Sequence, residues 1–262
     1  MMNTDNIKII FFDIDGTLID IHSRQITEKM LETLNRLKKK GIILCLSTGR
    51  GPLTLPSFEG WEPDAFLTFN GSYCYNRQQV IYRNPISTED VKKIIQNAAS
   101  INRPVSIAAT DRIVANGTDE DLTDYFAIAR LKVDISEDFE DVVEHKEIFQ
   151  IMSGGRESEY PALLQGVSRA KVAAWWDRAL DIVPADSGKG AGVNKVLEFY
   201  HLDQSEALAF GDGNNDIEMF QAVGTGVAME NASDSLKAVA QDVCGHVAKD
   251  GIYHYCMLHG LI

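Results

Sequence analysis

A chain of 262 residues, 45% hydrophobic and 24% charged, has room for one large domain or two modest ones and enough apolar material to bury a core, which argues against disorder. Its formal net charge of −13 argues against nucleic acid or an anionic membrane as partner, since both need a basic footprint. A small anionic substrate stays open, because a bound metal or a few backbone amides can invert the field inside one pocket.

The first sixteen residues, MMNTDNIKIIFFDIDG, lack a basic region followed by a long apolar stretch, so no secretory leader is expected. No apolar run reaches the length of a membrane span. IKIIFF (7–12) reads as a short buried strand that stops at Asp13, and a polar loop, DIDGTLID, follows. Between Thr27 and about Lys40, Met30, Leu31, Leu34 and Leu37 recur at helical spacing, with Thr27 as N-cap and Gly41 as the stop. IILCLS (42–47) and AFLTF (65–69) read as two more buried strands. Between them, GPLTLPSFEGWEPD (51–64) carries Pro52, Pro56 and Pro63, so no long helix is expected there.

From about Asn84 to Val183 the grammar is mixed. TEDVKKIIQNAAS (88–100) is helical, whereas PVSIAA (104–109), IFQIMS (148–153) and KVAAWW (171–176) are strand-like. The acidic run DISEDFEDVVE (134–144) reads as a solvated face or loop. Strand–helix alternation then returns: GVNKVLEFY (192–200) helical, ALAFGD (207–212) a strand, DIEMFQAV (216–223) a helix, GTGVAM (224–229) a strand. SDSLKAVAQ (233–241) is a helix behind Ser233, and residues 251–262 suit a final helix. Alternating strands and helices imply a parallel α/β sheet with covered faces, here interrupted by an inserted α+β domain. Cys45, Cys74, Cys244 and Cys256 form no CxxC pair, which argues against a zinc site or disulfide framework; reduced thiols fit the cytosol.

Four separated segments carry the chemistry: DIDGTL (13–18), STGR (47–50), SGKG (187–190) and GDGNND (211–216). Each lies where a strand hands over to a loop or helix, and in a parallel sheet such ends converge on one ligand-binding edge. Asp13 and Asp15, two residues apart in extended chain, can project to one side. One could attack phosphorus and the other protonate the leaving alcohol, then activate water; alone, they also fit two acids in a turn. Thr48 and the amide after it could hold a phosphoryl oxygen, with Arg50 adding a bidentate contact, or STGR could be a plain turn with a surface arginine. Lys189, between Gly188 and Gly190, could neutralise the site, although a lone lysine is more often solvated. Asp212 and Asp216, flanking Asn214 and Asn215, offer hard oxygen ligands for Mg²⁺ or, more simply, a loop that caps a helix.

Taken together and in this order, the four segments resemble the motifs of the haloacid dehalogenase (HAD) superfamily, and the resemblance covers the whole chain. NGSYCY (70–75), GVAMENASDSLKAVAQDV (226–243) and DGI (250–252) are similar to its Cof-type subfamily, whose caps are of the C2B kind. The resemblance implies a doubly wound parallel sheet, a Rossmann-like HAD core over 1–83 and 184–262, with a C2B-type α+β cap over 84–183. It implies a mobile cap that closes over the site and supplies leaving-group contacts, turning near Arg83–Pro85 and Val183–Pro184. It implies a Mg²⁺-dependent phosphatase with Asp13 as nucleophile and metal ligand. Asp15 would be acid/base and a metal ligand through its carbonyl, Asp212 the second carboxylate ligand, and Asp216 an outer contact. Thr48, Lys189 and the amides of Ile14 and Gly49 would hold phosphate, with Asn215 nearby. After STGR the family has a full amphipathic helix, and the proline-rich segment here departs from that, which puts a phosphate role for Arg50 in doubt.

A dehalogenase of this family lacks the second aspartate, so Asp15 favours phosphoryl transfer. A phosphomutase shares both acids; a non-catalytic phosphate-binding regulator would have lost one of them or the lysine. The expected partner is a small phosphorylated metabolite, sugar phosphates first by family analogy, with neither nucleic acid nor membrane. The chain is expected to act in the cytoplasm as a monomer or weak homodimer. Trp175 and Trp176 could line a substrate pocket, although alternation along a strand would bury at least one of them.

Overall fold

The computed structural model describes residues 6–23, 25–174 and 176–262. The chain opens with β1 (Ile9–Phe12), α1 (Glu28–Lys39), β2 (Ile43–Ser47), β3 (Ala65–Thr68), β4 (Tyr73–Asn76) and β5 (Val80–Arg83). It continues through α2 (Thr88–Ser100), β6 (Val105–Ala108), β7 (Ile113–Ala115), α3 (Glu120–Ile128), α4 (Phe139–His145), β8 (Gln150–Gly154), α5 (Tyr160–Leu163), β9 (Ala170–Ala173) and β10 (Ala179–Pro184). It closes with α6 (Lys189–Tyr200), β11 (Ala207–Gly211), α7 (Ile217–Gln221), β12 (Thr225–Ala228), α8 (Asp234–Val239), β13 (Asp242–Val243) and α9 (Gly251–Leu258). Two compact units result. One runs to Arg50, takes in Pro56–Arg83 and resumes at Gly188–Ile262; the other groups Gly51–Leu55 with Asn84–Ser187. The second crossing thus falls at Ser187–Gly188, four residues past the expected Val183–Pro184, because β10 keeps pairing with β9 through Pro184.

The first unit is built on an eight-stranded sheet in the order β13-β12-β11-β1-β2-β3-β4-β5. Its strands are parallel from β13 to β3, and β4 and β5 then run antiparallel at one edge. β1 and β11 are buried at every residue, as strands covered on both faces must be. The register sets Phe12 opposite both Phe210 and Leu46, so β1, β2 and β11 end side by side, at the point where the strand order reverses. On α1, Thr27 caps the first turn, its Oγ1 accepting from the Met30 amide at 3.0 Å, and Met30, Leu34 and Leu37 turn inward. The β4–β5 hairpin is one of the elements that apolar runs do not reveal. Its strands are half-exposed at most positions, and its turn is an Asn76 side chain accepting from the amides of Gln78 and Gln79, each at 2.9 Å.

The second unit carries a five-stranded sheet, β7-β6-β8-β10-β9, antiparallel throughout. Val91, Ile94 and Ala98 of α2 pack into the same apolar core as Ile107, Ile151, Leu180 and Ile182 of the strands. One expectation is sharpened here and one corrected. The acidic run is partly the helix α4, because Phe139, Val142 and Val143 recur at helical spacing and enter that core while Glu140, Asp141 and Glu144 face solvent. The strand expected over 171–176 ends at Ala173, since the chain must turn there for β9 to pair antiparallel with β10. Trp176 therefore sits half-buried in a bend, with the Arg178 guanidinium 5.1 Å from its ring centroid, and Trp175 lies outside the described residues.

All four cysteines are buried free thiols, all in the first unit. Among the described residues no helix is long and apolar enough to cross a membrane.

Candidate active site

Asp13 is the first residue after β1, held in register by its amide donating to the Phe210 carbonyl at 3.0 Å. Asp212 is the first residue after β11, and Thr48 follows β2 with its amide on the Leu67 carbonyl at 2.8 Å. Lys189 opens α6, three residues before the helix expected from the pattern. Its ammonium is buried and reaches Asp13 Oδ1 at 2.5 Å and Asp216 Oδ1 at 2.6 Å. Asp216, fully buried, also accepts at Oδ2 from the amides of Asp212 and Gly213, both at 3.0 Å. Both of its oxygens are thereby committed, which suits a residue that positions Lys189 and the 211–216 loop.

The loop after β1 folds against Asp212. Thr17 Oγ1 donates to Asp212 Oδ1 at 2.8 Å, and Gly16 takes φ +90 with its Cα pressed against the Asp212 carboxylate, so any side chain there would collide with it. Asn231 Nδ2 closes the loop by donating to the Gly16 carbonyl at 2.8 Å. Among the described residues the amides of Ile14 and Gly49 make no hydrogen bond, so both remain open to an anion. The Thr48 hydroxyl accepts from the Arg50 amide at 3.1 Å and keeps its own proton to donate. Asn215, exposed, donates from Nδ2 to Asn70 Oδ1 at 3.2 Å.

One carboxylate oxygen from each of Asp13, Asp212 and Asp216 lies within 4.8 Å of the others. Burial pushes the Asp13 carboxyl well above the usual carboxylate range, and the charges of Asp216 and Asp212 add to it against the pull of Lys189. Burial also carries Asp212 up to about 6, partly offset by the Thr17 hydrogen bond. Burial works against the Lys189 charge, yet Asp13 and Asp216 together hold it above its ordinary range. Three carboxylates facing one ammonium leave the cluster short of positive charge, and all-oxygen donors at this spacing fit a hard divalent cation.

Asp15 does not join that group through its side chain. Arg50 grips it bidentately, Nε on Oδ2 and Nη2 on Oδ1, both at 2.7 Å. The Arg50 guanidinium, whose phosphate role the proline-rich segment puts in doubt, is thus on the second aspartate, and an acid/base role for Asp15 requires the pair to part. Sequence reasoning placed both residues in motifs but missed their pairing, which depends on two loops meeting across 35 positions. Thr17 and Asn70 were likewise quoted in motifs without a role. As expected from its three prolines, the segment after Arg50 forms no long helix, only a 3₁₀ turn at Pro52–Thr54.

Residues 10–256 match a family model described as haloacid dehalogenase-like hydrolase. The chain belongs to the haloacid dehalogenase superfamily. Over 256 residues it is 34% identical to YkrA of Bacillus subtilis (strain 168), a protein that bears a phosphatase name, covering 97% of this chain and 98% of that one. Among solved structures it resembles BT1666 of Bacteroides thetaiotaomicron, a phosphatase of the same superfamily, with TM-score 0.90, 27% identity and coverage of 98% and 96%. It also resembles the subclass IIB sugar phosphatase BT4131, with TM-score 0.84, 27% identity and coverage of 97% and 100%. The protein is thus a Cof-type HAD phosphatase with a Rossmann-like core and an inserted α+β unit. In this HAD chain the four motif segments lie in the first unit except for Ser187, the last residue of the second, and three of them meet in the Asp13–Lys189–Asp212–Asp216 cluster.

Proposed function

We propose that this HAD phosphatase hydrolyses phosphomonoesters of small metabolites, sugar phosphates foremost, through an aspartyl-phosphate on Asp13. The observation that carries the reading is the buried cluster itself: a carboxylate at the end of β1, one oxygen bound to Lys189 and the other without a hydrogen bond among the described residues. That second oxygen attacks phosphorus, the ester oxygen departs, and Asp15, released from Arg50, protonates it. Asp15 then takes a proton from water as it attacks the aspartyl-phosphate, returning Asp13 and inorganic phosphate. The amides of Ile14 and Gly49, the Thr48 hydroxyl, Lys189 and Asn215 hold the phosphoryl oxygens.

Asp13, Asp212 and the carbonyl of Asp15 would hold Mg²⁺, with Asp216 outside them. When bound, Mg²⁺ supplies the positive charge that lets an anionic nucleophile and an anionic ester approach. Substrate choice lies in the second unit, because Asp13, Asp15, Thr48, Lys189 and Asp212 are all in the first. The likeness to a sugar phosphatase supports the substrate class. The partner is a small metabolite and neither nucleic acid nor a membrane, and the chain works as a monomer or weak homodimer in the cytoplasm, where four buried thiols stay reduced.

The test is phosphate release by the purified chain from a panel of phosphorylated sugars, cofactors and nucleotides across a Mg²⁺ titration. Metal-dependent release with sugar phosphates ahead is expected, with phosphate on Asp13 in acid-quenched samples analysed by mass spectrometry. No release from any ester at saturating Mg²⁺ sinks the reading.

A further inference from the structure

The chain leaves β3 through a costly backbone conformation. Phe69, Asn70 and Gly71 take φ of +50, +51 and +89 in succession. Left-handed backbone is tolerated by asparagine and natural for glycine, but a bulky phenylalanine there is an outlier, and two adjacent non-glycine residues persist only where the surroundings fix them. The surroundings do so here. Phe69 is buried, its amide donates to the Arg50 carbonyl at 3.0 Å, and the Ser72 amide donates to the Phe69 carbonyl at 3.2 Å. The Ser72 hydroxyl is buried with no hydrogen-bond partner among the described residues, a further sign that this turn is held against local preference.

The turn touches three of the motif segments. The Asn70 amide donates to the Thr48 carbonyl at 3.0 Å, which fixes the STGR loop from behind. Gly71 packs against the Gly188 carbonyl and the backbone of Gly192, leaving no room for a side chain at the start of the helix that bears Lys189. The Asn70 side chain accepts from Asn215 Nδ2 at 3.2 Å, and it lies so near Gly49 that a Cβ there would stand 3.1 Å from Asn70 Nδ2.

We infer that Asn70 is a positioning residue of the phosphate site: its left-handed turn fixes the Thr48–Arg50 loop, and its side-chain amide orients the otherwise exposed Asn215 toward the phosphoryl group. This rests on the phosphatase reading above. Only asparagine combines tolerance of this φ with an acceptor for Asn215 and no added charge next to a phosphate dianion. The strain in the turn persists because relaxing it would move Thr48, Asn215 and the start of α6 together.

The experiment compares Asn70→Gly, which keeps the backbone conformation, with Asn70→Asp, which keeps shape and φ but adds charge. Each is assayed for kcat, KM, inhibition by inorganic phosphate and thermal midpoint. Asn70→Gly should melt as the parent does while KM and the inhibition constant of phosphate rise about tenfold and kcat changes less, the loss of one oriented hydrogen-bond partner. Asn70→Asp should lose about a hundredfold in kcat/KM through repulsion of the dianion. Added to Asn215→Ala, Asn70→Gly should cause little further loss, since both remove one contact. Parental KM and phosphate inhibition in Asn70→Gly, or full additivity with Asn215→Ala, overturns the inference. If Asn70→Gly fails to fold, Asn70→Asp with parental phosphate inhibition overturns it equally. A parent protein that releases no phosphate refutes the phosphatase reading; a parent that turns over beside an unaffected variant refutes the role of Asn70 alone.

Discussion

Each unit contains an ion cluster, and the two are built to opposite ends. In the first unit one buried lysine faces three carboxylates, and Asp13 and Asp212 are both pushed up by burial, with the charge of Asp216 adding to each. In the second, Arg103, Arg156 and Arg178 converge on Asp121 at 2.9–3.0 Å, while Asp119, Asp124 and Glu159 take their remaining donors. There the arginines, Arg156 foremost, hold Asp121 down to about 2. The second cluster is near charge balance and open at its rim, so it is satisfied as it stands. The first is not satisfied without a cation or a substrate's chemistry, and that imbalance, rather than the number of ion pairs, marks the functional site.

Substitutions can break this contrast. Asp13→Asn should abolish turnover, a loss on the order of 10⁴-fold or more, while the thermal midpoint stays at or above the parent's, because a buried charge is removed from a crowded site. A folded variant with parental activity would end the covalent mechanism. Asp15→Asn should cost on the order of 10²–10⁴-fold, and less on p-nitrophenyl phosphate than on a sugar phosphate, whose poorer leaving group needs the proton more. Equal losses on both would contradict the acid role. Lys189→Met leaves Asp13 and Asp216 buried without their cation and should destabilise the first unit by about 3–5 kcal/mol in chemical denaturation, with Mg²⁺ restoring part of it. Unchanged stability would mean the cluster is not under electrostatic strain.

The smallest effect belongs to the satisfied cluster. The folded Asp121 binds a proton less readily than an ordinary aspartate, so the unfolded chain takes up that proton first. Its contribution is complete above about pH 4 and drains away as pH falls toward about 2. Because the surrounding guanidiniums are partly solvated, about 1 kcal/mol is expected. Asp121→Asn should remove that acid-range slope in stability and leave the pH profile of kcat alone; an unaltered slope would show the cluster contributes nothing.

What the sequence revealed follows the same line. Buried parallel strands announce themselves as apolar runs, so β1, β2, β3 and β11 were legible, and with them the edge where Asp13, Thr48 and Asp212 gather. Thr27 and Ser233 were readable as caps because capping is local. The β4–β5 hairpin was not, since half-exposed residues carry no strong period. Helix α4 was hidden by its acids, which equal in number the three apolar residues that place it. Within the site, residue types were legible and pairings were not. That Arg50 holds Asp15, or that Asn70 meets Asn215, depends on how separate loops lie in space.

The distribution of thiols has a practical consequence. Burial pushes Cys74, Cys244 and Cys256 up to about 12 and raises Cys45 as well, so none reacts while the first unit stays closed. The second unit contains no cysteine at all, yet by sequence it holds Trp175 and Trp176, leaving Trp61 to the first. Alkylation rates therefore time the opening of one unit, and in a Trp61→Phe background fluorescence follows the other. The molecule thus comes with its own pair of independent unfolding reporters, and the strained catalytic half can be timed against its satisfied neighbour without attaching a dye.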